Sequence, residues 1–181
     1  MLMTHRLVKM RLLTSRWATT MSTSTSDNLF QVEGDLTKLA PGAIPAVGME
    51  AQVTHAFSIE DTRAFAGISG DNNSLHVDAD FALKYASKSK PLVQGLLSGS
   101  LFATIFGRTV PGALYITQNM RWKAPLLVDE KVTARICVTK VRKRFVECDT
   151  VCTKTSDGVV VAIGNATLLL PSPVNQQSIS S

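Results

Sequence analysis

Cysteine is scarce in this chain of 181 residues, and the count of three is odd. Cys137, Cys148 and Cys152 form no Cys-x-x-Cys pair and have no histidine-rich surroundings. A disulfide framework or a structural zinc site is therefore not expected. Cys137 and Cys148 stand in strand-like runs, where a free thiol packs as a small apolar side chain. Long apolar runs are also missing: no stretch approaches the roughly 18 uninterrupted apolar residues of a membrane-spanning helix. No internal repeat is visible. Acid is absent from residues 1–26, which carry Arg6, Lys9, Arg11 and Arg16 ahead of the first carboxylate, Asp27.

That uneven charge changes the meaning of the formal net charge of +5. Four of the 19 Lys and Arg residues lie in the first 26 positions, so the remainder holds 15 basic against 14 acidic side chains. A nucleic-acid partner loses its electrostatic support. The basic, Ser- and Thr-rich segment, with Leu, Val, Met and Trp between its charges, has the composition of an organellar transit peptide. A secretory signal needs a continuous apolar stretch, which Arg6, Lys9 and Arg11 interrupt. The expectation is a transit peptide over residues 1–26 that directs the chain to the mitochondrial matrix, cleaved between Trp17 and Asp27. A plastid is the second destination, and a disordered tail is the alternative.

What remains is enough for one domain: 45% of residues are hydrophobic and the mean hydropathy is +0.13. Residues 27–49, with Gly34, Pro41, Gly42, Pro45 and Gly48, read as an irregular lead-in. A strand is predicted over 52–57. Ser58 and Asp61 then form a capping-box pattern opening a helix that Gly67 and Gly70 break. Asp78 caps a second helix over 79–86, with Phe81, Ala82 and Tyr85 turned inward. Residues 96–106 are apolar nearly all round, as in a helix buried on every side, with Ser98, Gly99 and Ser100 as its small side. Strands follow over 113–122, around Val132, Ala134, Ile136 and Val138, and over 145–154 and 159–170. The last two join across Asp157-Gly158, a hairpin signal. The pattern predicts an α+β domain over 50–171, an antiparallel sheet wrapped around a central helix, with a disordered tail at 172–181.

Chemistry concentrates in Ser69-Gly70-Asp71-Asn72-Asn73-Ser74-Leu75-His76. Extended, the five steps from Asp71 to His76 would span about 17 Å. Gly70 and the Asn pair tolerate turn conformations that fold the span back. A carboxylate and an imidazole would then converge on one small molecule and could move a proton near neutral pH. Composition alone favours a capped turn with His76 bonded to a backbone carbonyl, so the catalytic reading needs support from elsewhere. Gly95 offers some. It starts the apolar helix, where N–H groups lack intrahelical partners and can meet a developing oxyanion. Close helix packing explains the same glycine equally well.

Taken together, Phe57-Ser58-Ile59-Glu60-Asp61, the segment from Ser69 to Asp78, Gly95-Leu96-Leu97 and Val110-Pro111-Gly112 resemble the MaoC-like (R)-specific hydratase and dehydratase family. The resemblance covers about residues 50–171. It implies a hot-dog fold, a homodimer, and hydration or dehydration of acyl thioesters with no metal or redox cofactor. Asp71 and His76 match the acid–base pair of the family's Asp-x-Asn-Pro-x-His motif. Asn73 matches its supporting Asn, and Gly95 the glycine whose amide polarises the thioester carbonyl. Ser74 stands where the family usually has Pro, and Gln94 where His commonly precedes the glycine.

With the leader, the resemblance implies a mitochondrial 3-hydroxyacyl-acyl carrier protein dehydratase of type II fatty acid synthesis. The acyl group would ride on acyl carrier protein or coenzyme A. Arg142-Lys143-Arg144, or Lys84, Lys88 and Lys90, could receive an acidic carrier, with solvated surface charge as the plainer reading of each. Alternatives are an (R)-specific enoyl-CoA hydratase, a hot-dog thioesterase and a non-catalytic acyl-binding module.

Overall fold

The computed structural model describes residues 30–40 and 42–172. The expected leader and all of the expected tail but Ser172 lie outside the described residues. Among the described residues six strands form one antiparallel sheet: β1 (Val32–Glu33), β2 (Glu50–Ala56), β3 (Leu114–Trp122), β4 (Lys131–Arg142), β5 (Phe145–Lys154) and β6 (Val160–Leu169). Their order across the sheet is β1-β2-β4-β5-β6-β3. Alternation in the sequence becomes alternation of faces. Val132, Ala134, Ile136 and Val138 of β4 are at most 1% exposed. On β5, Val146, Cys148, Thr150 and Cys152 turn the same way and are buried. Gly158, at φ 72°, turns the β5–β6 hairpin, and Asp157 Oδ1 accepts from Val159 N at 3.0 Å. The lead-in is more regular than its glycines and prolines suggest. It contains β1 and a 3-10 turn at Asp35–Lys38, whose Leu36 joins the core.

Among the described residues three α-helices complete the fold: α1 (Ile59–Ser69), α2 (Ala79–Ala86) and α3 (Gly95–Thr109). At α1 the capping box is present, with Ser58 Oγ accepting from Asp61 N and Asp61 Oδ2 accepting from Ser58 N. Gly67 does not break this helix. A glycine within a helix costs about 1 kcal/mol, and α1 tolerates it until Gly70 turns left-handed at φ 77°. Asp78 caps α2 by accepting from the Asp80 and Phe81 amides. Of the three α2 residues expected inside, only Ala82 reaches the core; Tyr85 is 62% exposed. Phe81 and Tyr85 stack on each other instead, ring centres 4.3 Å apart.

The sheet wraps α3, whose Leu101, Phe102 and Ile105 are wholly buried. This is the α+β hot-dog arrangement. The helix is not buried on every side, however. Leu96 is 65% exposed, and Ser100, Ala103 and Gly107 continue its stripe in the open. The sheet covers only part of the helix circumference, and the stripe lies beyond its reach. Strand β3, at the sheet edge, is itself largely exposed, with Leu114, Tyr115, Ile116 and Trp122 between 39% and 61%. Among the described residues no helix is long and apolar enough to cross a membrane.

Candidate active site

The loop after α1 folds back, a course that Gly70 and the Asn pair allow. Asp71 N donates to Ser69 Oγ at 3.2 Å, and Asn73 N reaches Asp71 Oδ1 at 3.4 Å. Asn73 then caps a 3-10 turn at Ser74–His76 by accepting from Leu75 N at 3.1 Å. Hydrogen bonds thus hold a turn in which no proline ring fixes the backbone. The result is that His76 Nε2 lies 3.6 Å from Asp71 Oδ2, with the His76 side chain 15% exposed and that of Asp71 49%.

The imidazole is held from behind. Its Nδ1 lies 2.7 Å from the Leu92 carbonyl oxygen, which can only accept, so Nδ1 carries the hydrogen. In the neutral ring Nε2 is then an acceptor and faces a carboxylate oxygen, also an acceptor. At 3.6 Å no direct hydrogen bond joins them. Such a pair suits a molecule with two hydrogens to give, such as water, or one proton to share. The turn is also fixed through its backbone: Leu92 N donates to Leu75 O at 2.8 Å, and Thr62 Oγ1 lies 3.0 Å from His76 O.

Gly95 opens α3 on the same cavity. A space of about 380 Å³ is bordered by His76, Leu92, Gly95, Ser98, Trp122 and Lys123, among others. Gln94, at the cap position, makes no side-chain cap hydrogen bond, so the first amides of α3 keep their donors available. A Cβ built on Gly95 would stand 2.7 Å from Cε2 and Nε1 of Trp122. Close packing by the indole is therefore reason enough for glycine here; the amide's chemical role is a separate question. Trp122 and Thr62 are the residues that reading the sequence missed. Trp122 belongs to an edge strand 27 positions downstream of Gly95, and no local signal marks either residue.

Burial pushes the thiols of Cys148 and Cys152 up to about 12, with Cys137 and Asp149 adding to the rise at Cys148. Such thiols are not nucleophiles near neutral pH. Tyr115 rises to about 12 for the same first reason, burial, with Cys148 second. A more enclosed cavity of about 270 Å³ lies at the opposite end of α3, beside Arg108 and Arg144, roughly 20 Å along the helix from Gly95. It brings no acid–base pair together. Among the described residues no three His, Cys, Asp or Glu side chains converge as metal ligands. Of the cations expected to meet a carrier, Lys90 pairs with Asp129 at 2.8 Å and Arg144 donates to Leu170 O and Ser172 Oγ. Lys84 Nζ stands 5.0 Å from the Tyr85 ring centre.

Residues 42–161 match the model of the MaoC-like domain. An (R)-specific enoyl-CoA hydratase from Rhodospirillum rubrum is 35% identical over 68% of the chain and 87% of the relative. A mitochondrial 3-hydroxyacyl-[acyl-carrier-protein] dehydratase from Arabidopsis thaliana is 33% identical over 69% of the chain and 77% of its own length. Among solved structures, the (R)-hydratase from A. caviae involved in PHA biosynthesis superposes with a TM-score of 0.67 at 33% identity, covering 70% of the chain and 98% of that structure.

Proposed function

Because the chain belongs to the MaoC-like domain family, we propose that it adds and removes water across the C2–C3 bond of an acyl thioester. It is a hydro-lyase that interconverts (R)-3-hydroxyacyl and trans-2-enoyl thioesters. The observation that carries this reading is the 3.6 Å approach of His76 Nε2 to Asp71 Oδ2, with His76 lining a cavity that also reaches the uncapped start of α3. In dehydration the pair takes the C2 proton and delivers a proton to the C3 hydroxyl, which leaves as water from the same face. In hydration the two acceptors orient the water that attacks C3. The Gly95 N–H, beside the positive end of α3, stabilises the oxygen of the enolate-like thioester. Asn73 keeps the loop folded so that Asp71 and His76 meet.

The fuller assignment is a dehydratase of mitochondrial type II fatty acid synthesis acting on acyl carrier protein thioesters. It is supported by the mitochondrial relative and by the acid-free basic leader, read as a transit peptide to the matrix. An (R)-specific enoyl-CoA hydratase is the second reading, favoured by the R. rubrum relative at similar identity. The exposed apolar edge of β3 and the open stripe of α3 fit a second copy of the chain, so the working form is a homodimer. Purified protein without residues 1–26 should hydrate trans-2-enoyl thioesters. Asp71→Asn and His76→Ala should each lower kcat by roughly 10²- to 10⁴-fold. Near-native turnover in either variant refutes the assignment of the pair. The ratio of rates on carrier-protein and CoA thioesters decides between the two readings, and release of free thiol would point to a thioesterase instead.

A further inference from the structure

Between the two halves of the site lie two side chains that are polar and yet fully buried. Thr62, on α1, is 0% exposed, and Gln94, immediately before α3, is 2% exposed. The partner of Gln94 sets its amide orientation. The Thr62 carbonyl can only accept, so Nε2 faces it at 3.0 Å. Oε1 then points away and has no partner among the described residues. An unmatched buried acceptor destabilises a fold. A methionine of similar length would fill the space without that loss. Stability alone does not account for an amide at this position.

What the amide does is join two elements. Its donor holds the Thr62 backbone. The Thr62 hydroxyl shares its hydrogen between Ile59 O at 2.8 Å and His76 O at 3.0 Å. The His76 ring in turn rests on Leu92 O at 2.7 Å, two residues before Gln94 in the chain. The contacts close a circuit: Gln94 to Thr62, Thr62 to His76, His76 to Leu92, and through Val93 back to Gln94. Gly95 is the next residue, so the circuit ties the start of α3 to the imidazole. It also grips the Ser74–His76 turn from its carbonyl side, where that turn lacks a proline to stiffen it.

We propose that Gln94 and Thr62 are positioning residues that fix the Gly95 amide against the His76 ring. Neither touches the reacting atoms. The proposal rests on the reading of Asp71, His76 and Gly95 as the reacting site and adds how their two halves are held in register. Displacing one half against the other by a fraction of an ångström slows the chemical step more than it weakens binding.

The test compares Gln94→Met and Thr62→Val, both of which delete a hydrogen bond while keeping volume, with Thr62→Ser, which keeps the hydroxyl. Gln94→Met is expected to melt at or above the temperature of the parent protein while kcat falls roughly 10- to 100-fold and KM stays within about twofold. Thr62→Val, which leaves the His76 carbonyl without its donor, should lose some stability and show the same fall of kcat at nearly constant KM, and Thr62→Ser should restore kcat. A fall of melting temperature in step with kcat in Gln94→Met, or unchanged kcat in both deletions, overturns the proposal. A second readout needs no turnover. In NMR spectra of the ligand-free protein the His76 ring signals should shift or split in Gln94→Met and Thr62→Val and return in Thr62→Ser, while those of His55 stay in place. Unmoved His76 signals in both deletion variants overturn the clamp. A parent protein that hydrates no enoyl thioester but shows these His76 shifts instead defeats the reaction assignment and supports the clamp.

Discussion

Strands β4 and β5 and the stretch from Ser69 to Gly95 are the two contrasting parts of this molecule. From Val132 to Val138 in β4 and from Val146 to Cys152 in β5 every second side chain is buried, and all but Thr150 are apolar or thiol. From Ser69 to Asp80 no residue is buried, and the side chains of Asp71, Asn73 and His76 are each placed by a hydrogen bond to a backbone group. The first region supplies the free energy that keeps the chain folded. The second holds His76 at a cavity with Asp71 beside it. Stability and chemistry are therefore housed apart, and substitutions in the two regions should have separable effects.

The largest effect expected is that separation itself. His76→Ala removes one hydrogen bond, costing about 1 kcal/mol of stability, while abolishing most turnover. Ile136→Ala, at a position with 0% exposure on β4, should cost about 2–5 kcal/mol and leave kcat per folded molecule nearly unchanged. Paired denaturation and kinetic measurements check this; parallel losses in both variants would erase the distinction between the regions. A smaller effect comes from alkali. Cys148 and Cys152 lie at about 12 in the fold against 9.0 ordinarily. The unfolded chain therefore releases protons above pH 9 that the folded chain retains, and stability present below pH 9 is lost as pH rises towards 12. The melting temperature should fall between pH 8 and 10.5, and less steeply in Cys152→Ala. An identical slope in that variant would show the thiol does not contribute. The smallest effect concerns the loop. Ser74 opens a 3-10 turn and its N–H donates to nothing among the described residues, the position a proline accepts. Ser74→Pro should add about 0.4–1 kcal/mol with kcat unchanged; a loss of activity would mean the turn must move during turnover.

Much of this was legible in the residues because it is local. The Ser58–Asp61 box, the Asp78 cap, the Asp157-Gly158 hairpin and the alternation of Val132, Ala134, Ile136 and Val138 each concern neighbours within a few positions. The polar loop at 69–76 was visible as a concentration of functional groups, and Gly70 and the Asn pair indicated that it could fold back. Features decided by distant contacts were not legible. The open stripe of α3 depends on how far the sheet curls. Thr62 touches the His76 carbonyl 14 residues away and Gln94 32 residues away, and neither separation has a signature in composition or period.

By itself the sequence determined the type of fold and the chemical groups available. Periodicity, caps and turn residues act over a few positions and do not wait for the rest of the chain. Which of those groups meet was decided only by tertiary structure. The Asp71–His76 distance, the indole of Trp122 against Gly95 and the hydrogen bonds of Thr62 and Gln94 all depend on a helix and a sheet edge that packing brings together from far along the chain.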